Sequence, residues 1–401
     1  MIELLSLSIE NFRSFCKAQT IDFSDSSKRN ITALYGPNAT GKSNVIKALK
    51  TVLTCISHSS NASWKLPYEP FLLNVSSGER PTRFKLLFKF NDRYFDYQFS
   101  FDRERIIEES LLERSKNSEK RKTIFLRNSN GELNSTAAKN KFGKRLMKKT
   151  RPDTLLITKA QEDNNEYANI LFGLLNAISI VDDEFDLSPW DARYIEMLRN
   201  DKDLKSKTLD LLNQYDFAIR DIVIRQAPLP DGFLDSFPLE IPQNIKNEMI
   251  EAGVTEFKTV HAVRDDEGTV VGRTDFDFNS MESKGTQKFF EVAVPIIEAL
   301  EKGKMLFIDE FSSYIHPNLA GTIVDMFRKQ ASEKQPAKLT MITHNTAMMS
   351  NLNRDEMFLV EKTLGEETRV LSLRDAGARE NDAFEKRYRA GYYGGVPMIK
   401  S

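Results

Sequence analysis

Alternating apolar and polar positions predict an antiparallel sheet in the first hundred residues. Leu5, Leu7 and Ile9 alternate with polar side chains near the N-terminus, which predicts a strand. Apolar residues also occupy alternate positions in Phe84–Phe90 and Tyr97–Phe101, on either side of a polar turn, as in a hairpin. The aromatic side chains could form a stacking platform for nucleic-acid bases. Packing of a sheet face against the core is the preferred explanation.

A short loop of small and polar residues follows the next apolar segment. The loop, Gly36–Ser43, reads GPNATGKS and matches the pattern G-x-x-x-x-G-K-[ST]. Ile31–Tyr35 before it predicts a buried strand, and apolar residues at helical spacing in Val45–Leu53 predict a helix after it. This order predicts a phosphate-binding loop, because backbone N–H groups and the helix N-terminus together favour an anion. A plain turn before a helix is the less favoured alternative.

Residues of this loop have separate predicted roles. Gly36 and Gly41 permit backbone angles that other residues resist. Lys42 is expected to reach the outer phosphates as a point charge, and Ser43 to offer its hydroxyl to Mg²⁺. The residues predicted to contact the nucleotide here are Gly36, Pro37, Asn38, Ala39, Thr40, Gly41, Lys42, Ser43 and Asn44.

Two later apolar segments end in residues suited to phosphate chemistry. Lys304–Glu310 predicts a strand followed by two acids. We expect Asp309 to steady Mg²⁺ and Glu310 to polarise an attacking water. The segment Leu339–Asn345 predicts a short strand followed by His344, whose imidazole could bond a γ-phosphate oxygen.

A third polar segment precedes a long helical pattern. Ser283–Gln287 reads SKGTQ and leads into the apolar helical run Phe289–Leu300. A serine and a glycine at a helix start form another N-terminus that favours an anion. By itself this pattern is weak evidence of a site.

The order of these segments resembles the ABC-type ATPase heads of the SMC, RecF and OLD-like group. The resemblance rests on GPNATGKS, SKGTQ, MLFIDE and ITHN, and on the N-terminal LSIENFRSF. It is closest to the stand-alone OLD-like (AAA family) ATPases of bacterial anti-phage defence, which the C-terminal RYRAGYYGGVPMI also resembles. The implied fold is an α/β P-loop ABC-type ATPase head, with a mixed central sheet, an antiparallel N-terminal sheet and an inserted helical lever subdomain.

The resemblance also implies functional residues and cofactors. ATP and Mg²⁺ are the implied cofactors, and Arg13 is implied to lie near the nucleotide. Ser283, Gly285 and Thr286 would form the signature motif, which acts on ATP held by a second copy. Gln161, after a predicted strand at Leu155–Thr158, would supply the glutamine loop and a metal contact.

The chain is predicted to be one discontinuous head with an insertion. Residues 1–165 and 255–401 are predicted to form the head, and residues from 255 onward to complete its sheet. A helical pattern, with a helix start at Ser188–Asp191, makes 166–254 the insertion. The interval lacks the sustained heptads of SMC arms. Because fewer than sixty residues follow His344 and nothing in them looks like a cluster of acids on strands, any nuclease activity is expected in a separate protein.

Composition places limits on location and partners. The net charge is −1, no apolar run is long enough for a membrane span, and Cys16 and Cys55 form no disulfide framework, which together suggest the cytoplasm. Lys139–Arg151 has seven basic residues in thirteen and no acid. This segment could bind nucleic-acid phosphates or an acidic partner, or be a solvated surface loop; the alternatives stay open.

These observations support one main hypothesis and two alternatives. The main hypothesis is an ATP-hydrolysing switch that dimerises around Mg-ATP and controls a separate effector, a nuclease or toxin, in bacterial anti-phage defence. One alternative is a DNA-repair or genome-maintenance ATPase that binds DNA directly. The other is a nucleotide-gated scaffold with little turnover, against which Glu310 argues because a scaffold needs no catalytic acid.

Overall fold

The computed structural model describes most of the chain and divides it into two compact units. The described residues are 2–24, 30–115, 120–130, 132–134, 136–182, 192–214, 218–229, 232, 243–311, 317–330 and 335–395. The first unit comprises Met1–Asp183 and Ala299–Ser401, and the second comprises Glu184–Glu298. The predicted helix start at Ser188–Asp191 and the end of the C-terminal motif, residues 396–399, lie outside the described residues.

An antiparallel sheet of the first unit contains six of the described strands. They are β1 (Ile2–Glu10), β2 (Gln19–Asp22), β4 (Thr82–Phe90), β5 (Arg93–Phe101), β6 (Ile106–Ser115) and β7 (Lys122–Arg127), in the order β2-β1-β4-β5-β6-β7. Phe84 pairs with Phe99, and Phe88 with Phe95, and all four rings are buried. The predicted hairpin is therefore confirmed. Because the aromatic rings face the core, they do not form a base-stacking platform.

A mixed sheet forms the centre of the first unit. Its described strands are β3 (Ile31–Tyr35), β8 (Ile178–Val181), β12 (Met305–Ile308), β13 (Lys338–Ile342), β14 (Met357–Lys362) and β15 (Thr368–Ser372). Their order is β15-β14-β3-β13-β12-β8, and all neighbours are parallel except β14 and β15. The carboxyl ends of the parallel strands meet at one edge, where open α/β sheets bind ligands.

Helices of the first unit cover these sheets. They are α1 (Lys42–His58), α2 (Lys144–Lys149), α3 (Leu156–Glu162), α4 (Glu166–Ala177), α10 (Pro317–Lys329) and α11 (Phe384–Arg389). One face of α1 buries Val45, Leu49, Val52 and Ile56 in a core shared with both sheets. None of the helices in the described ranges combines the length and apolar composition that a bilayer crossing requires.

The second unit has its own small sheet. Its strands are β9 (Ile219–Ala227), β10 (Val254–Arg264) and β11 (Val270–Asp277), which pair antiparallel with β10 in the middle. Its helices are α5 (Ala192–Asn200), α6 (Lys202–Asn213), α7 (Gln243–Ala252) and α8 (Phe278–Met281). Helix α9 (Lys284–Lys302) begins in this unit, and the division between units falls near its end.

The predicted division at 166–254 is wrong in its boundaries. Helix α4 and strand β8 belong to the first unit, because α4 packs on α1 and β1, and β8 pairs with β12. Strands β10 and β11 do not complete the central sheet, because they pair within the second unit. The insertion therefore spans Glu184–Glu298 and contains a sheet as well as helices. The first unit is made of two separate stretches of the chain.

The predicted strand at Leu155–Thr158 is also wrong, since α3 begins there. The buried carboxylate of Glu109 accepts hydrogen bonds from the backbone nitrogens of Leu156 (2.6 Å) and Ile157 (3.0 Å) and so caps the helix. Burial raises the pKa of Glu109, and the Arg127 guanidinium opposes that shift. The cap comes from a distant strand, so local apolar patterning could not reveal it.

Candidate nucleotide site

The predicted strand, loop and helix are present as β3, residues 36–41 and α1. Every residue of β3 is buried, and α1 begins at Lys42. Gly41 has φ 97°, and a Cβ there would overlap the hydroxyls of Thr368 and Ser14. A Cβ on Gly36 would overlap the carbonyl oxygen of Val360. Both positions therefore require glycine, one for its backbone angle and both for space.

The ammonium of Lys42 lies inside the loop. It donates hydrogen bonds to the carbonyl oxygens of Gly36 (2.9 Å) and Pro37 (2.8 Å), and the residue is only 6% exposed. Burial lowers the pKa of Lys42, while the negative charges of Glu310 and Asp309 oppose that shift. The electrostatic influence of both acids on Lys42 places the three predicted residues in one neighbourhood.

A hydroxyl network braces the loop from outside. Thr368 Oγ1 lies 2.7 Å from both the carbonyl oxygen of Thr40 and Ser14 Oγ, and Asn44 Nδ2 donates to Ser14 Oγ at 2.7 Å. Thr40 Oγ1 in turn donates to the carbonyl oxygen of Pro37 at 2.9 Å. Sequence reasoning missed Thr368, because no local pattern links β15 to a loop more than three hundred residues earlier. Ser14 lies in the NFRSF segment, but the pattern of that segment predicts no role for it.

The two acids follow β12 directly. Asp309 is buried, and its backbone nitrogen donates to the carbonyl oxygen of Val181 at 2.8 Å. The backbone nitrogen of Glu310 donates to Asp309 Oδ1 at 2.9 Å, and Glu310 has the unusual φ of 49°. The backbone therefore turns sharply between the two acids.

His344 meets Glu310 at the same sheet edge. Nδ1 of His344 lies 3.3 Å from Glu310 Oε2. The strand before it is fixed by the backbone nitrogen of Thr343, which donates to the carbonyl oxygen of Leu34 at 3.2 Å. The structure thus brings together Lys42, Asp309, Glu310 and His344 from three neighbouring parallel strands.

The C-terminal segment packs behind this edge. The Tyr388 ring lies 6.4 Å from the ring of Tyr35, the residue before the loop. The hydroxyl of Tyr388 hydrogen-bonds the carbonyl oxygen of Gly395, and Gly394 approaches the Glu361 carboxylate where a Cβ would crowd it. Burial raises the pKa of Tyr388 to about 12. The paired glycines of the C-terminal motif thus let the chain turn closely against β14.

Arg13 is held by a neighbouring segment. Its guanidinium forms an ion pair with Glu69, and its backbone nitrogen donates to the Glu69 carbonyl oxygen at 2.7 Å. The next residue, Ser14, belongs to the hydroxyl network of the loop. Arg13 is therefore adjacent in sequence to the hydroxyl network that contacts the loop, and its side chain is paired with Glu69.

Gln161 is not near the loop. Thr158, one turn earlier in α3, donates to the carbonyl oxygen of Ile56 at 2.8 Å, and the adjacent Glu162 is hydrogen-bonded to Ser60. Both contacts are at the C-terminal end of α1, whereas Ser43 is at its start, roughly 20 Å away at the rise of an α-helix. This separation contradicts the predicted metal contact of Gln161. The prediction failed because the segment before Gln161 is a helix and not a strand.

Asp182 is an acid that sequence reasoning missed. It follows β8, whose Val181 pairs with Ile308 of β12, so Asp182 and Asp309 end adjacent parallel strands. Asp182 is buried and pairs with Lys50 of α1 at 2.9 Å. The segment ISIVD resembles MLFID in pattern, and that repetition was the available signal.

The predicted signature residues lie in the second unit. Ser283 immediately precedes α9, and its Oγ accepts a hydrogen bond from the backbone nitrogen of Thr286 at 3.1 Å. Ser283 is exposed, and a Cβ on Gly285 would meet only Ser283 Oγ, at an ordinary 3.8 Å. Packing within this unit therefore does not require glycine at position 285.

The basic segment presents a cationic face. Phe142 and Leu146 are buried, with the Phe142 ring 4.4 Å from that of Phe125. Arg151 donates to the carbonyl oxygens of Ser59, Ser60 and Asn61 and is structural. Six exposed cations remain without an ion pair in the described part of the chain: Lys139, Lys141, Lys144, Arg145, Lys148 and Lys149.

A separate concavity of 610 Å³ lies on the outer face of the antiparallel sheet. Its Asp96 pairs with Lys85 at 2.9 Å, and its Glu113 pairs with Arg93 at 2.6 Å. Its charges are therefore largely neutralised within the chain. None of its lining residues belongs to the predicted nucleotide site.

The fold and the loop together define a P-loop nucleotide-binding head. A phosphate-loop strand and an acid-ended strand lie in one mixed sheet, beside an antiparallel sheet. Residues 31–350 match the model of the family described as "AAA domain, putative AbiEii toxin, Type IV TA system". The chain belongs to this family and is an ATPase of the AAA type.

Two solved structures are similar to the chain over most of its length. The SMC head domain from Thermotoga maritima has 14% sequence identity and a TM-score of 0.38, with 92% of this chain and 98% of that chain covered. The recombination mediator protein RecF-ATPrS of the RecFOR pathway has 13% identity and a TM-score of 0.40, with the same coverage of 92% and 98%. No curated protein matches the chain.

Proposed function

We propose that the chain is an ATP-hydrolysing switch that dimerises around Mg-ATP. The observation that carries this proposal is the meeting of Lys42, Asp309, Glu310 and His344 at the carboxyl edge of the central sheet. A cation, a buried acid, a second acid and an imidazole are the groups that phosphoryl transfer to water requires.

The residues present fit a nucleoside triphosphate with its metal. Lys42 is bonded to loop carbonyl oxygens, which phosphate oxygens can replace as acceptors. Ser43 and Asp309 would hold Mg²⁺, which prefers oxygen ligands and neutralises phosphate charge when bound. Glu310 would accept a proton from the attacking water, and His344, 3.3 Å from Glu310, would orient that carboxylate or bond the γ-phosphate.

A second copy would complete the site. Ser283, Gly285 and Thr286 stand at the start of a long helix, where backbone N–H groups favour an anion. Ser283 is exposed, and the space at Gly285 is not needed by its own unit. Both features support contact with the γ-phosphate of ATP held by another copy. Hydrolysis would remove that phosphate and release the dimer.

Replacing Glu310 tests this mechanism. Glu310→Gln keeps the shape but cannot accept the proton, so turnover should fall about 100-fold or more while ATP binding is retained. The variant should therefore accumulate as an ATP-bound dimer, measured by size-exclusion chromatography with light scattering. Lys42→Ala is the control and should show neither ATP binding nor an ATP-dependent change in mass. An unchanged mass of Glu310→Gln with ATP contradicts the dimer.

The proposed output is control of a separate effector, a nuclease or toxin, in anti-phage defence. The family description, which names a putative toxin of a type IV toxin–antitoxin system, supports a role in such a system. Cells carrying the chain with its neighbouring genes should resist phage, and Lys42→Ala should abolish that resistance in plaque assays. Equal plaque counts for the parent protein and for Lys42→Ala contradict this output.

The scaffold alternative is tested by ATP turnover. Repeated turnover by the parent protein that Lys42→Ala abolishes would exclude a scaffold with little hydrolysis.

A second candidate function is direct binding of nucleic acid, as a repair or genome-maintenance ATPase would need. The six exposed cations of the described basic segment that lack an ion pair favour it, because phosphate contacts by lysine and arginine supply most non-specific affinity. Replacing these six by glutamine, while keeping the structural Arg151, should remove DNA-stimulated hydrolysis and flatten the salt dependence of DNA binding. Replacing the exposed Lys65 serves as the control. DNA stimulation that survives the six substitutions contradicts this function.

A further inference from the structure

Two side chains, one at each end, fix the backbone of the turn before Ser283. Asp277 Oδ1 accepts a hydrogen bond from the backbone nitrogen of Ser280 at 3.0 Å and caps α8. The buried Gln287 of α9 reaches back, and its Nε2 donates to the carbonyl oxygens of Phe278 (2.9 Å), Asn279 (2.9 Å) and Glu282 (3.2 Å). These hydrogen bonds connect the start of α9 to α8 and hold the segment between them, in which Glu282 precedes Ser283.

One face of the central strand β10 carries this turn. Phe257, Thr259 and His261 alternate along β10 and so point to the same face. The Phe257 ring packs edge-on against Phe278 of α8 at 4.7 Å and lies 5.3 Å from Phe290 of α9. This aromatic cluster holds both helices of the turn against the sheet.

The polar part of the same face binds one carboxylate. Thr259 Oγ1 donates to Glu282 Oε1, and His261 Nε2 lies 2.7 Å from the same oxygen. When the Glu282 carboxylate is ionised it only accepts hydrogen bonds, and His261 Nε2 is then the donor of this contact. The His261 ring is itself held by Phe276, with centroids 4.4 Å apart. The side chain of Glu282 is 8% exposed, so its orientation is fixed.

We propose that Glu282, held by Thr259 and His261, is the positioning residue that orients the signature serine, Ser283, toward ATP on a second copy. This inference rests on the proposed function. A buried acid with two donors fixes direction, whereas its net contribution to stability is small compared with an apolar replacement. The aromatic cluster already secures the packing of the turn, so the polar brace has a separate role. It sets the angle of the chain at the residue before the serine.

Glu282→Ala and Glu282→Gln form a matched pair. Loss of the carboxylate in Glu282→Ala should lower turnover and ATP-dependent dimer formation about tenfold, the scale of lost hydrogen bonds to a charged group. Its affinity for a fluorescent ATP analogue, which reports the phosphate loop of the same copy, should be unchanged. Glu282→Gln keeps an acceptor oxygen and should restore most of the turnover. Glu267→Ala, an exposed acid in the β10–β11 turn, is the control and should behave as the parent protein.

Mixing variants separates this inference from the proposed function. Glu282→Ala mixed equally with Lys42→Ala should regain activity above that of either variant alone, because each mixed dimer has one intact composite site, built from Lys42 of one copy and Ser283 of the other. Ser283→Ala mixed with Lys42→Ala should do the same.

Three results would overturn the inference, and each has a different meaning. If Ser283→Ala and Lys42→Ala do not complement, the shared site fails and the inference fails with it. If they complement but Glu282→Ala alone is fully active, the positioning role alone is wrong. If Glu282→Ala is inactive and Lys42→Ala does not rescue it, Glu282 supports only the fold of its own copy. Circular dichroism of each variant confirms that folded protein was compared.

Discussion

The phosphate loop and the turn at Ser283 each contain a glycine near a helix start, but the two glycines have different surroundings. At Gly36 a Cβ would overlap the carbonyl oxygen of Val360, so packing within the chain requires the glycine. At Gly285 a Cβ would meet only a side-chain oxygen at 3.8 Å, so packing within the unit does not. The phosphate loop is shaped by the chain itself, whereas the second turn leaves room that its own unit does not use.

The side chains of the two regions differ in the same way. Lys42 is buried and bonded to its own loop, and two acids act on its charge. Ser283 and Lys284 are exposed, although the residues that support them are buried. An exposed serine beside an unfilled space, on a buried support, is what the proposed contact with another molecule would require. The comparison can be tested by substitutions that affect one region and not the other.

Gly36→Ala should have the largest effect on stability. The added methyl group meets a backbone atom of β14 that cannot move without shifting the central sheet, so we expect a loss of about 3 kcal/mol. Thermal and urea unfolding measure it, and ATP affinity should fall as well. Gly78→Ala is the control, because a Cβ there meets nothing within 4 Å. Equal stability of the two variants would show that the loop is not constrained by β14.

Thr368→Val should have an intermediate effect. The substitution keeps the volume but removes the hydroxyl that lies 2.7 Å from the carbonyl oxygen of Thr40 and from Ser14 Oγ. We expect a loss of about 1 kcal/mol of stability and weaker ATP binding, because a loop acceptor loses its partner. Calorimetric titration with ATP measures the second effect.

Thr54→Val is the control for this change, since the Thr54 hydroxyl bonds the carbonyl oxygen of Lys50 in its own helix, at 2.7 Å. If Thr368→Val binds ATP as tightly as Thr54→Val, the hydroxyl network does not shape the loop.

Features set by local patterning were predictable from the sequence. The loop from Gly36 to Ser43 needs a strand, two glycines and a helix in immediate succession, and all are adjacent in the chain. The acids after β12 and the histidine after β13 end apolar segments that are visible in the same way. Because parallel strands end at one edge, their proximity followed from the fold class.

Features that depend on distant contacts were not predictable. The apolar residues of Leu155–Thr158 predicted a strand, whereas the helix α3 that begins there is capped by Glu109 of the distant strand β6. Gln161 was misplaced because its predicted position depended on that strand. Strands β10 and β11 have ordinary strand patterns, and nothing local distinguishes pairing with β9 from joining the central sheet. Thr368 reaches the loop only because β15 pairs with β14, which pairs with β3.

Gly285→Ala should have the smallest effect on stability and so gives the sharpest test of the difference between the two regions. The new methyl group has space, and alanine is a better helix former than glycine, so unfolding should change by less than about 0.5 kcal/mol. In a Glu310→Gln background the same change should reduce the ATP-dependent dimer, because the methyl group enters space proposed for the partner's phosphate. Light scattering at increasing protein concentration measures this loss. Normal dimer formation by the double variant would mean that the space at Gly285 is incidental and that the second region is not a contact for ATP.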